Sequence, residues 1–293
     1  MSFHWYHAAA LFKQKLQLYT STPAMPIGGK ERDALWMCST LLTVATFANI
    51  DSFDPFESWP MKPSDPMDLS WIKMDQGKNI VWDILDPTRP ESHYNTLYRY
   101  MAESNMPNGR APIRPHGLPA EFFALYNLNE YSNADNNPYH GQASVLSQIL
   151  YDEVTFRTGL RFFVFPSQMR PSYMRLLEAK DPRALLLLVY WYSRLIEFPW
   201  WFVRPRAIVE GVAICIYLQR YHNDDNDIIA LLRVPQELLF EAYKETKWGD
   251  ARRLERLEHR TWPSPSSHAS SESPETITLQ IRTPESQSSY ASY

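Results

Sequence analysis

An all-α fold is predicted by three features of this 293-residue chain. Apolar residues recur at three- and four-residue spacing through several long stretches. Helix-start signals precede such stretches, above all Asp181-Pro182, where Asp caps and Pro takes the first helical position. No two β-rich runs are joined by a tight hairpin turn. The expected architecture is a multi-helix, orthogonal or array-like domain over residues 1–258. A disordered Ser/Pro-rich tail is expected over 259–293.

The elements follow in chain order. Residues 3–19 place Phe3, His7, Ala10 and Leu11 on one stripe, as a helix requires. Pro and Gly break the chain before residues 32–49, a second helix apolar on most of its faces and therefore central. Asp33 is the expected N-cap of that helix. Four prolines between Ile50 and Pro66 forbid a long helix there. A third helix starts at Asp68 or Ser70 and runs to Leu85. Gly77 in its middle implies a bend or the close approach of another backbone.

Residues 91–101 and Glu121–Leu128 predict short helices. Helical spacing returns over Tyr139–Arg157, and Arg161–Pro166 reads as a helix end. Pro171–Glu178 begins another helix. The helix opened by Asp181-Pro182 is expected to run to a stop at Pro199. Ala207–Leu218 is a further apolar helix, and Pro235 is expected to separate a short helix from a last amphipathic one. In the tail, Ser264-Pro265, Ser273-Pro274 and Thr283-Pro284 are sites a proline-directed kinase could use.

Composition excludes several classes. With 44% hydrophobic and 21% charged residues the chain is in the globular range, and 14% aromatic content supplies a sizeable core. The net charge of −4 argues against direct nucleic-acid binding. The one basic run, Arg252–Arg260, is interleaved with Glu255 and Glu258 and reads as a solvated helix face. The N-terminal residues lack the basic leader and apolar core of a secretory signal, and no apolar run reaches the length of a membrane span. Cys38 and Cys215 lie far apart in apolar runs and read as buried thiols.

Chemistry-bearing constellations are few. No phosphate loop, dinucleotide fingerprint, zinc-protease motif or nucleophile elbow occurs. His4 and His7 share a helix face but lack a third ligand, so no metal is expected. Asp224, Asp225 and Asp227 fail the calcium-loop pattern, because Ile228 and Val234 stand where Gly and an acid are required. Glu210, inside an apolar helix, needs a partner: Arg206 one turn earlier, or Arg194 or Arg204 across a contact. Trp71, Trp82, Trp191, Trp200 and Trp201 form the most distinctive group. Such rings ordinarily fill a helical core; the other reading is an apolar ligand cavity between helices, with Met37, Met67 and Met74 as adaptable walls.

Four segments in order resemble the regulatory domain of fungal zinc-cluster transcription factors, in the branch of the sterol uptake control protein. They are HWYHAAALFKQKL, DALWMCSTLLTVATFAN, the stretch from Trp59 to Leu85 containing Trp71, Ile72, Gly77 and Ile80, and DPRALLLLVYWYSRLIEFPWWF. In the last, Pro182, Ala184 to Leu187, Tyr190, Trp191, Trp200 and Trp201 carry the likeness. The resemblance implies an all-α domain that binds a sterol or another apolar small molecule and acts in transcriptional control in the nucleus. Two departures stand out. No Cys-x-x-Cys of a zinc cluster occurs, and Val203, Arg204 and Pro205 stand where a glycine is expected after the Trp pair.

The resemblance thus implies a regulatory, effector-binding half, and the residues themselves lead to the expectation of no direct DNA contact, no cofactor or metal, and no enzymatic activity. Its expected pocket residues are Trp71, Met74, Trp82, Tyr190, Trp191, Trp200 and Trp201. Expected partners are an apolar small molecule and a second copy or a full-length factor. Two alternatives are a helical interaction module that binds no ligand, and an enzyme of secondary metabolism using Glu210 and His222.

Overall fold

The computed structural model describes residues 2–21, 27–103 and 105–249, which belong to one unit of the chain, Met1–Thr261. The expected tail, its Ser-Pro and Thr-Pro sites and the basic run lie outside the described residues. Those residues are helical and contain no strand. The helices are α1 (Ser2–Ser21), α2 (Gly29–Ala48), α3 (Ser70–Leu85), α4 (Asn95–Glu103), α5 (Glu121–Leu125) and α6 (His140–Ile149). They continue with α7 (Gly159–Phe162), α8 (Val164–Ser167), α9 (Pro171–Glu178), α10 (Pro182–Leu195), α11 (Arg204–Tyr221) and α12 (Asn226–Lys244). None of them is long and apolar enough to cross a membrane.

Three long helices, α10, α11 and α12, pack on one another and form the centre. Leu185 to Val189 of α10 and Val212 to Cys215 of α11 are fully buried, which explains why these helices are apolar all round. The start of α10 is as the local code requires: Asp181 Oδ1 accepts from Ala184 N at 2.9 Å, and Pro182 takes the first turn. The helix ends at Leu195, four residues before Pro199. Around this centre α2 packs on α3, α1 on α2, and α3 on α8.

The structure corrects several sequence expectations. Asp33 is not an N-cap. Helix α2 starts at Gly29 with Gly28 in the cap position, which leaves Asp33 one turn inside and buried. There its carboxylate accepts from Arg89 Nη2 (2.6 Å), Ser92 Oγ (2.8 Å) and His93 N (3.0 Å), tying the loop after α3 onto α2. Burial alone would raise its pKa, yet these donors hold the carboxyl below its ordinary 3.8.

Gly77 marks no close approach: a β-carbon there would meet nothing within 4 Å. The spacing over Tyr139–Arg157 yields a helix only as far as Ile149. Beyond it, Thr155 and Thr158 accept hydrogen bonds from each other's backbone N–H, closing a local turn that competes with the helix.

Pro235 does not divide the last helix. Helix α12 runs through it, and the ring is buried. A proline inside a helix leaves the carbonyl four residues earlier without its N–H donor. Here that carbonyl belongs to Leu231, and the Tyr190 hydroxyl of α10 donates to it at 2.8 Å. A neighbouring helix thus satisfies the group that proline releases.

Candidate functional site: an aromatic groove beside a buried ion pair

An apolar groove of about 440 Å³ opens between α2, α3, α4, α7, α8 and the turn after α10. That volume is within the range of small-molecule sites. One wall is aliphatic and aromatic: Val44 and Phe47 of α2 and Trp71 of α3. The facing wall is a set of nearly parallel rings, with Trp200 stacked at 6.0 Å on Phe163 and at 5.8 Å on Phe202. Leu97 and Leu160 close the sides, and Phe156, 84% exposed, stands at the rim. Polar side chains enter only from Thr40 and Thr43 of α2 and Asp75 and Lys78 of α3.

Behind the groove lies a second layer. Trp191 stacks on Trp71 (5.8 Å, 8°) and on Phe165 (5.3 Å, 14°), and its Nε1 donates to Phe162 O at 2.8 Å. Phe47 meets Trp71 edge-on at 4.9 Å. Phe47, Trp71 and Trp191 are thus each held by at least two other rings.

On the other side of Trp71 is a small polar cleft of about 150 Å³, lined by Arg206 and Glu210 of α11 among others. Arg206 pairs with Glu210, the i, i+4 partner that the spacing offered. It also donates to the carbonyls of Phe47 (2.7 Å) and Thr46 (3.3 Å) and to that of Asn49, so the guanidinium caps the C-terminus of α2. Tyr192 of α10 donates to the second Glu210 oxygen at 2.6 Å. Burial pushes the Glu210 carboxyl up from its ordinary value, against the pull of Arg206 and Tyr192. The guanidinium lies 5.6 Å from the Phe47 ring centre and 5.7 Å from that of Trp71. The same charge therefore braces both rings of the groove floor. His222 ends α11 twelve positions after Glu210, about 18 Å of helical rise away, so the fold does not bring these two together.

The seven expected pocket residues separate in space. Trp71 and Trp200 line the groove. Trp191 sits behind it, fully buried. Met74 is half-buried on α3 and does not line the groove. Trp82 belongs to a different apolar cluster with Trp36 and Tyr98, where Trp36 meets it edge-on at 5.3 Å. Tyr190 serves the Leu231 carbonyl and meets Phe122 edge-on. Trp201 is 74% exposed. The residues not anticipated are Phe47, Phe156, Phe163, Phe202 and Asp75. A signal for Asp75 was present, since a carboxylate one turn after Trp71 on an apolar stripe is as conspicuous as Glu210.

A larger groove of about 890 Å³ runs along the loops before and after α5, past Arg110, His116 and Phe123. Its walls come mostly from loops, whereas helices and stacked rings set the geometry of the aromatic groove. Among the described residues no group of His, Cys, Asp and Glu could hold a metal ion.

Gly159, the first residue of α7, makes the ring wall possible. A β-carbon there would overlap Trp200 Cη2 and lie 2.9 Å from Cζ2. Gly159→Ala is expected to push the indole out of the wall at a cost of about 1–3 kcal/mol, the usual range for overpacking. Chemical denaturation together with the Trp emission maximum checks this. An unchanged spectrum and stability would show that the ring wall is not fixed by this contact.

Comparison with family models, characterised proteins and solved structures returns no match for this chain.

Proposed function

We propose that this chain is the effector-binding regulatory half of a transcription regulator of the fungal zinc-cluster type, working in the nucleus without touching DNA itself. Its effector is an apolar small molecule of sterol-like or similar size, bound in the aromatic groove. The observation that carries this reading is the groove itself: about 440 Å³ with stacked rings on one side and a braced aromatic floor on the other. The resemblance adds weight, because three of its four segments supply groove walls: α2, α3 and, through Trp200, the segment that begins with α10. An occupant that prefers one arrangement of α2 and α3 over another shifts the balance between them, and with it the surface offered to a partner.

The test is titration of the full chain with a panel of sterols and other apolar molecules, read by Trp fluorescence and by melting temperature. A saturable ligand at one hundred times its Kd adds about 2.7 kcal/mol, or about 5–10 °C in Tm. Trp200→Ala removes a half-buried wall ring and is expected to weaken that binding about tenfold or more while the chain stays folded. A panel that moves neither signal sinks the reading.

A second reading, a helical interaction module, is favoured by the exposed Phe156 at the groove rim and by the nearby Trp201, 84% and 74% exposed. It predicts a self-associated or heteromeric species in sedimentation, lost in Phe156→Ser with Trp201→Ser. A ligand-responsive monomer argues against it.

A further inference from the structure

Three polar groups of α3 share one helical stripe. Trp71, Asp75 and Lys78 fall at i, i+4 and i+7, and all three line the aromatic groove. Trp71 is 2% exposed and Asp75 5%. The Trp71 indole N–H is buried with no acceptor, and Asp75 Oδ2 is buried with no donor, among the described residues. The other carboxylate oxygen takes the Lys78 ammonium at 2.6 Å, and that side chain keeps 27% exposure. Each unmet buried group costs about 1–3 kcal/mol, and folded proteins carry few of them. Two such groups of opposite sense, one helical turn apart on residues that both line one apolar groove, ask for one partner that both donates and accepts.

The nearby threonines are not that partner. Thr40 and Thr43 donate their hydroxyls back to Trp36 O (3.1 Å) and Ser39 O (3.0 Å) of their own helix. Burial also raises the Asp75 carboxyl above its ordinary 3.8, against the pull of Lys78, so a donor reaching Oδ2 relieves a group that is poorly solvated.

We propose that the α3 side of the groove is a hydroxyl-reading end: an otherwise apolar occupant places one hydroxyl here, donating to Asp75 and accepting from Trp71 or Lys78. This rests on the effector-binding reading above and specifies which molecules the groove selects. A carboxylate would face Asp75 and be repelled. An ammonium would face Lys78. An ether or a hydrocarbon would leave Asp75 Oδ2 without a donor. A hydroxyl satisfies both senses at once.

The experiment uses four probes that share a linear twelve-carbon chain, on the full chain of the protein at neutral pH: 1-dodecanol, its methyl ether, dodecanoate and dodecylammonium. Binding is read by Trp fluorescence, in the parent and in Asp75→Leu, with Asp75→Ala as a second variant should the first lose its fold. In the parent, the alcohol is expected to bind about tenfold more tightly than the ether, the effect of roughly one hydrogen bond to a charged group. It is also expected to bind more tightly than either charged probe. In the variants the alcohol-to-ether ratio falls to about one. Equal affinity of alcohol and ether in the parent overturns the hydroxyl end and leaves the groove reading standing. So does tightest binding by the carboxylate or the ammonium. Binding of none of the four removes the groove reading, and this proposal with it.

Discussion

Replacing Arg206 by methionine is expected to lower the unfolding free energy by about 3–5 kcal/mol, because it leaves the Glu210 carboxylate buried without its counter-charge. Both residues are only 8% exposed, so water makes good little of the loss. The same substitution strips the donor from the carbonyls of Thr46, Phe47 and Asn49 at the end of α2. Against a typical total of about 5–15 kcal/mol, this is a large share. Urea unfolding of the full chain measures it, with a fall in Tm of roughly 10 °C or more as the thermal counterpart. The double variant Arg206→Met with Glu210→Met removes the unpaired charge and is expected to recover about half of the loss. Full recovery is not expected, since the α2 carbonyls and the Tyr192 hydroxyl still lack their partners. A single variant within about 1 kcal/mol of the parent would show that the ion pair is not what joins α11 to α2.

This pair also shows what a single chain reveals. Arg206 was legible as the partner of Glu210 because both stand on one helix, and i, i+4 spacing fixes their proximity without knowledge of the fold. Tyr192, the third member, was not legible, since its approach depends on how α10 lies against α11. The Asp181-Pro182 start was legible for the same local reason. Asp33 stands where a cap is expected, but its role comes from a loop some sixty residues later, through Arg89, Ser92 and His93.

The same distinction explains the pocket. Trp71 and Trp82 lie on nearly one face of α3, three turns apart, so periodicity groups them together. About 16 Å of helical rise separates them, and they meet different neighbours. Trp71 faces Phe47 and Trp191, whereas Trp82 faces Trp36 and Tyr98. Phe156, Phe163 and Phe202 come from connections between helices, where no periodicity exists to single them out. Pro235 looks like a break in the sequence because its local cost is certain. The compensation, a tyrosine hydroxyl from another helix, is a tertiary fact.

Truncating Trp191 to alanine is expected to cost about 3–5 kcal/mol and to weaken apolar ligand binding, although this ring does not line the groove. Trp191 is fully buried between Trp71 and Phe165, and its Nε1–H is the hydrogen-bond partner of Phe162 O at the end of α7. Removal opens a void behind the groove floor and leaves that carbonyl without its indole donor. Trp71 then loses its stacked support and is free to tilt into the void, which changes the shape of the wall an occupant meets. Trp191→Phe separates the two effects. It keeps an aromatic layer behind Trp71 but loses the hydrogen bond, so it should cost about 1–2 kcal/mol and leave binding near the parent level. Denaturant unfolding gives the first quantity, and titration with any apolar probe that binds the parent gives the second. If Trp191→Ala loses stability yet binds as tightly as the parent, the floor is not a relay between core and groove. The groove would then owe its shape to the residues that line it, Phe163, Trp200 and Phe202 among them, and not to the layer behind.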